Sequence, residues 1–230
     1  MKQRSKNRLS RRLFNQALSA GACVVAGCAF RAGGQGLVQF RTYVPSTIPS
    51  IDAPIYLDVI GGTKLDSASA PGYRTALLAG PTTAQPAVID YWNNPLTAGN
   101  LQMTYYPGNT ALTWVGFRSG TGLNGAGYVN TGSSAARVVP VDAGQQVFVQ
   151  MAVWTGDADT WIGAYAEAQQ GLARVWASSP LTLTASGATG EPAYLWGLQS
   201  YALHVPEPGW PGFVTLGALL LGWRFLPRKR

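Results

Sequence analysis

Across residues 36–204, apolar positions fall in short runs broken by Gly, Pro, Asn and Asp, a pattern of short strands joined by turns. Residues 38–44 alternate apolar with polar, and 55–59 and 73–79 are compact apolar runs. Further strands are predicted at 101–106, 112–117, 127–129, 181–185 and 198–203. Residues 137–141 and 146–154 read as a paired hairpin, because Asp142-Ala143-Gly144 between them is turn chemistry. Residues 165–173 are the one helix candidate, rich in Ala and Gln, with Gly171 as a stop. Many short strands at near-regular spacing predict an all-β domain over 36–204, an antiparallel β-sandwich of jelly-roll or immunoglobulin-like type. No repeat recurs at a fixed period, which excludes a solenoid or propeller.

The two ends follow a different pattern. Residues 1–35 run from a basic, polar start through an apolar stretch of small residues, 17–30, to Ala32-Gly33-Gly34. That is the layout of a secretory signal peptide, with a cut expected within 29–36. Within it, Ser10-Arg11-Arg12-Leu13-Phe14 resembles the twin-arginine export signal, in which Arg11 and Arg12 are the defining pair. An ordinary Sec signal with paired arginines fits the same residues. Val25-Ala26-Gly27-Cys28 resembles a lipobox, although a chance cysteine among small residues is the preferred reading.

Residues 205–230 open on Val205, Pro206, Glu207 and Pro208, continue through a mostly apolar segment, and close on Arg224, Arg228, Lys229 and Arg230. A transmembrane helix is expected at about 212–226. Its basic end stops transfer and stays in the cytoplasm, which leaves the main domain outside. The two prolines keep the preceding linker extended. This order of motif, apolar segment and basic cluster resembles the PEP-CTERM sorting domain of exported Gram-negative proteins. The resemblance implies recognition of Pro206, Glu207 and Pro208 by an exosortase, an integral membrane processing enzyme, and a final place on the cell surface or in the extracellular matrix. The middle is also similar, through Gly72-Tyr73, Leu78-Ala79-Gly80-Pro81 and Gly127-Tyr128-Val129 among others, to exported proteins with such tails, which carry no assigned activity.

Charge changes little in this picture once it is located. The net charge of +7 comes from the ends: seven basic residues lie in the first 31 positions and four in the last seven. Between them, six basic residues face nine acids, a balance of −3. A nucleic-acid partner, which needs a basic face on the folded domain, is therefore not expected. Both cysteines, Cys23 and Cys28, lie in the signal segment, and the only histidine is His204. No disulfide framework, cysteine or histidine metal site, or Ser-His-Asp triad is expected in the middle.

The most polar constellation is the loop Trp154-Thr155-Gly156-Asp157-Ala158-Asp159-Thr160-Trp161. Its two carboxylates suit calcium, but they lack EF-hand spacing, so a solvated turn is the preferred reading. Asp90, Asp157 and Glu167 are the acids from which a glycosidase pair would be drawn. Trp92, Trp114, Trp154, Trp161, Trp176 and Trp196 suit either sugar stacking or, by strand alternation, the core. Gly116-Phe117-Arg118-Ser119-Gly120 lacks the lysine and helix of a phosphate loop and reads as a turn. The expectation is a non-enzymatic exported protein without catalytic residues, metal or cofactor. Its partners are an export translocon, an exosortase-like enzyme, the membrane before processing, and exopolysaccharide. A carbohydrate-binding module is the alternative.

Overall fold

The strand with the longest apolar run finds a partner of the same kind. In the computed structural model, which describes residues 35–68, 71–89, 95–108, 111, 113–132 and 134–203, the strands Arg74–Pro81 and Gln146–Trp154 pair antiparallel over eight positions, from Arg74↔Trp154 to Pro81↔Val147. Numbered in chain order, the strands are β1 Gln35–Gln39, β2 Tyr43–Val44, β3 Ile51–Asp52, β4 Ile55–Tyr56, β5 Arg74–Pro81, β6 Val88–Ile89, β7 Pro95–Thr97 and β8 Gln102–Met103. They continue with β9 Ala136–Asp142, β10 Gln146–Trp154, β11 Val175–Ala177, β12 Leu181–Thr184 and β13 Tyr201–Ala202, and one helix, α1, spans Trp161–Gln169. The described chain is thus mostly strand with a single helix, in line with the all-β expectation, and it forms no closed barrel.

Around the β5–β10 pair the sheet grows in pieces. β8 adds to the outer edge of β5, while β11 and β12 lie end to end along β10. The break between β11 and β12 falls at Ser178-Ser179-Pro180, where the Ser178 hydroxyl accepts the Met151 N–H at 3.0 Å in place of a ladder carbonyl. Four two-stranded ladders complete the strands: β1–β9, β2–β3, β6–β7 and the parallel β4–β13.

Side chains leave β5 and β10 on both faces, and both faces are buried. Leu77, Ala79, Val147, Val149, Met151 and Val153 pack with Val38, Phe40 and Val139 from the β1–β9 side. Ala76, Leu78, Ala152 and Trp154 pack with Leu101, Met103, Trp161 and Ala164, the last two on α1. Burial on both sides explains why these strands read as near-continuous apolar runs rather than alternating ones.

Three expectations are corrected. The turn at Asp142-Ala143-Gly144 does form, with Gln145 N–H donating to Asp142 O at 3.1 Å and Gly144 at φ +81°. It is not a hairpin, however: β9 pairs with β1 and β10 with β5, so the turn is a corner between two sheets. The single strand expected at 38–44 divides into β1 and β2, because the Thr42 carbonyl takes the Ala53 N–H and its hydroxyl takes the Val129 N–H. The helix starts four residues early, at Trp161, because Thr160 caps it by accepting the Gly163 N–H. Gly171 acts as the expected stop, although the helix ends at Gln169 rather than at 173. Gly171, at φ +74°, donates to Ala168 O and Leu172 to Glu167 O, a Schellman closure.

The expected signal segment, residues 1–35 except Gln35, and the tail, 205–230, lie outside the described residues. Among the described residues no helix is long and apolar enough to cross a membrane.

Gln150 ties one face of the sheet to the loop that covers it. This buried side chain accepts the Ala87 N–H at 2.9 Å and donates to Ala87 O at 3.0 Å and Ser178 O at 2.8 Å. Replacing it with leucine leaves three buried backbone groups unpaired, and each orphaned group costs ~1–3 kcal/mol. Gln150→Leu is expected to destabilise the fold by at least ~2 kcal/mol, read from the midpoint of urea unfolding.

Candidate functional site

The polar loop after β10 is built around an arginine from the neighbouring strand. Arg74 opens β5 directly opposite Trp154, where β10 ends. From there its Nη1 reaches Asp157 O at 2.6 Å, Ala158 O at 2.7 Å and Asp159 Oδ1 at 3.0 Å. The loop is fixed again by the Trp154 indole N–H, which donates to Ala158 O, and by Arg174, whose N–H donates to the Thr155 hydroxyl. Thr160 then caps α1, which buries Trp161 edge-on against Trp154 at 6.3 Å between centroids.

This arrangement bears directly on the calcium reading. Oxygens of Asp157, Ala158 and Asp159 converge as a cation would require, but the cation they surround is the Arg74 guanidinium. A guanidinium supplies the charge and directional donors that would otherwise come from a metal. Among the described residues no group of three or more His, Cys, Asp or Glu gathers into a metal site.

The same arginine orients an exposed aromatic ring. The Arg74 guanidinium carbon lies 4.5 Å from the centroid of Trp114, and the Trp114 indole N–H donates to Asp159 Oδ1 at 3.2 Å. Trp114 is 37% exposed and Asp159 81% on its side chain, so an aromatic ring and a carboxylate share one surface patch. Trp154, Trp161 and Trp176 are core residues, whereas Trp196, 47% exposed, packs on Tyr194 with centroids 6.0 Å apart. Trp92 lies outside the described residues.

The remaining sites predicted from sequence are accounted for as follows. The Glu167 carboxylate on α1 packs against Gly156, beside exposed Asp157, while Asp90 lies outside the described residues. The 116–120 loop is stapled by its own arginine: Arg118 Nε donates to Val129 O at 3.2 Å, and Nη1 donates to Asn124 O and to the Asn124 side-chain oxygen. Arg11, Arg12, Cys23, Cys28, His204, Val205, Pro206, Glu207, Pro208, Arg224, Arg228, Lys229 and Arg230 all lie outside the described residues. An aromatic cluster not singled out in the sequence surrounds Tyr128, which donates to Asp52 Oδ1 at 2.6 Å, packs tilted against Tyr43 with centroids 5.0 Å apart and sits under Lys64. Burial first, and then the Asp52 carboxylate, push the Tyr128 phenol well above the usual tyrosine range.

The role of Arg74 was not legible from spacing, since 83–85 residues separate it from its partners. The available signal was an arginine heading an otherwise apolar strand. Arg74→Met is expected to cost ~2 kcal/mol or more, because the half-buried Ala158 carbonyl and the exposed Asp157 carbonyl both lose a charged donor. Asp159→Asn is expected to cost less than ~1 kcal/mol, since the Asp159 side chain is 81% exposed and water screens its pair with Arg74. Urea unfolding of the two variants side by side checks that order. No family model, no curated protein and no solved structure matches the chain.

Proposed function

We propose that this chain is a non-enzymatic exported protein of a Gram-negative envelope or extracellular matrix, delivered through its C-terminal tail by an exosortase-like membrane enzyme. The observation that carries the reading is the order of the tail: Val205-Pro206-Glu207-Pro208, an apolar segment, then Arg224, Arg228, Lys229 and Arg230. Prolines on either side of Glu207 disfavour a helix there and the basic end sets orientation, which suits recognition by a membrane processing enzyme. The basic N-terminal segment with Arg11 and Arg12 supplies export through the translocon. An antiparallel sandwich, compact and rich in turns, is the domain type that this route would deliver. Mass spectrometry of the protein recovered from the host surface tests the proposal. The expected mature form begins within 29–36 and ends near Pro206–Pro208; an exported form with Met1 and Arg230 intact overturns it.

A second reading, a carbohydrate-binding module, is favoured by one observation: the exposed Trp114 ring, braced by Arg74 and held by Asp159. Sugar rings stack on such faces, and a carboxylate accepts from their hydroxyls. Trp114→Ala is expected to weaken retardation of the protein in gels cast with host exopolysaccharide by roughly tenfold, the equivalent of ~1.4 kcal/mol. Equal retardation of variant and parent removes this reading.

A further inference from the structure

A second arginine is treated differently from Arg74. Arg137, on β9, is 0% exposed, yet no carboxylate pairs with it; among the described residues the one ion pair is Arg74–Asp159. Its position follows from register. Arg137 stands opposite Val38 on β1, and so shares the core-facing side with Val38, Phe40 and Val139. Its guanidinium carbon lies 3.8 Å from the Tyr106 ring centroid and 5.6 Å from that of Phe40. Nη1 is held by two backbone acceptors, Ala136 O at 3.0 Å and Ser134 O at 3.3 Å.

The other edge is the informative one. Nε and Nη2, both buried, have no hydrogen-bond partner. These two nitrogens carry the parallel N–H pair with which an arginine grips a carboxylate side-on. The buried acceptor nearest in register, Gln39 Oε1, also lacks a partner. Gln39 stands opposite Ala136, one residue along, so it belongs to the other face of the ladder. Burial lowers the arginine pKa, and the charge and hydrogen-bonding of the adjacent Tyr106 side chain partly restore it, although no hydrogen bond of normal geometry reaches Nε or Nη2. The side chain stays cationic at neutral pH, and a buried unpaired cation is costly enough to require compensation.

We infer that Arg137 is the anchor of a binding site for a small carboxylate, gripped side-on by Nε and Nη2 beside the rings of Tyr106 and Phe40. The aromatic faces fix the guanidinium plane, and Nη1 fixes its rotation within that plane. A free acid and a uronate on a polysaccharide share this chemistry. The depth of the edge selects the free acid. The inference is independent of the surface role proposed above.

The test uses the full chain with sodium acetate as the probe. In the proton–nitrogen NMR spectrum, the Arg137 Nε–H signal is assigned by its loss in Arg137→Lys and in Arg137→Met. The signal is expected to shift saturably with acetate and not with sodium chloride at equal ionic strength. The melting temperature is expected to rise with acetate in the parent and to stay level in Arg137→Met, which folds without needing an anion because it removes the buried charge. A signal that does not move, one that moves equally with chloride, or an equal acetate-dependent rise in Arg137→Met overturns the site. A glucuronate oligomer that binds as tightly as acetate overturns the assignment to a small free acid.

Discussion

The eight-position ladder between β5 and β10 is the constraint from which the remaining architecture follows. Two strands buried on both faces cannot be covered by one partner layer. One face therefore requires β1, β9 and their loops, and the other requires α1 with the segments around Leu101 and Met103. Polar groups trapped by this arrangement must be met from within. Gln150 and Ser178 do so on β10 and beside it, and Thr75 does so on β5, donating its hydroxyl to Ala152 O at 2.8 Å. Gln150 and Thr75 sit inside apolar runs that tolerate them, whereas Ser178 stands at the break between β11 and β12.

The same ladder positions the surface chemistry. Because Arg74 and Trp154 are register partners at the end of the pair, the loop leaving Trp154 passes directly over the arginine from β5. Trp154 is buried under that loop and anchors it through its indole N–H. Loop, helix cap and exposed Trp114 are thus consequences of one register. A slip of one residue would turn every apolar side chain to the wrong face and carry Arg74 away from its acceptors.

What was legible in the sequence follows from how local each signal is. Strand 146–154 was readable to its ends, since its apolar run is bounded by turn residues, and Gly171 was readable as a stop because only glycine suits that conformation. The corner at Gly144 was readable as a turn but not as a change of sheet, because pairing is decided by which strand arrives from elsewhere; here β5 takes β10 and β1 takes β9. The helix start was missed because Trp161 and Ile162 look like strand residues until Thr160 is seen capping them. Of the candidate chemistry, the two aspartates were found from their spacing, and the arginine that occupies their centre was not. The sorting residues belong to ends that the described fold does not include, so the fold adds nothing to them.

The arginines of the middle change how its charge is understood. Arg74, Arg118 and Arg137 each direct a guanidinium at backbone carbonyls, and Arg137 is wholly buried. Lys64 lies over the Tyr128 ring. Arg41 and Arg174 remain exposed, as do Asp58, Asp157, Asp159 and Glu191. Burial of Arg137 withdraws one of the six basic residues that face nine acids over this stretch. An excess of acids disfavours holding a polyanion by charge alone. A glycan partner of this domain would have to be held by stacking on an exposed ring such as Trp114 rather than by charge, which directs the carbohydrate reading toward neutral sugars.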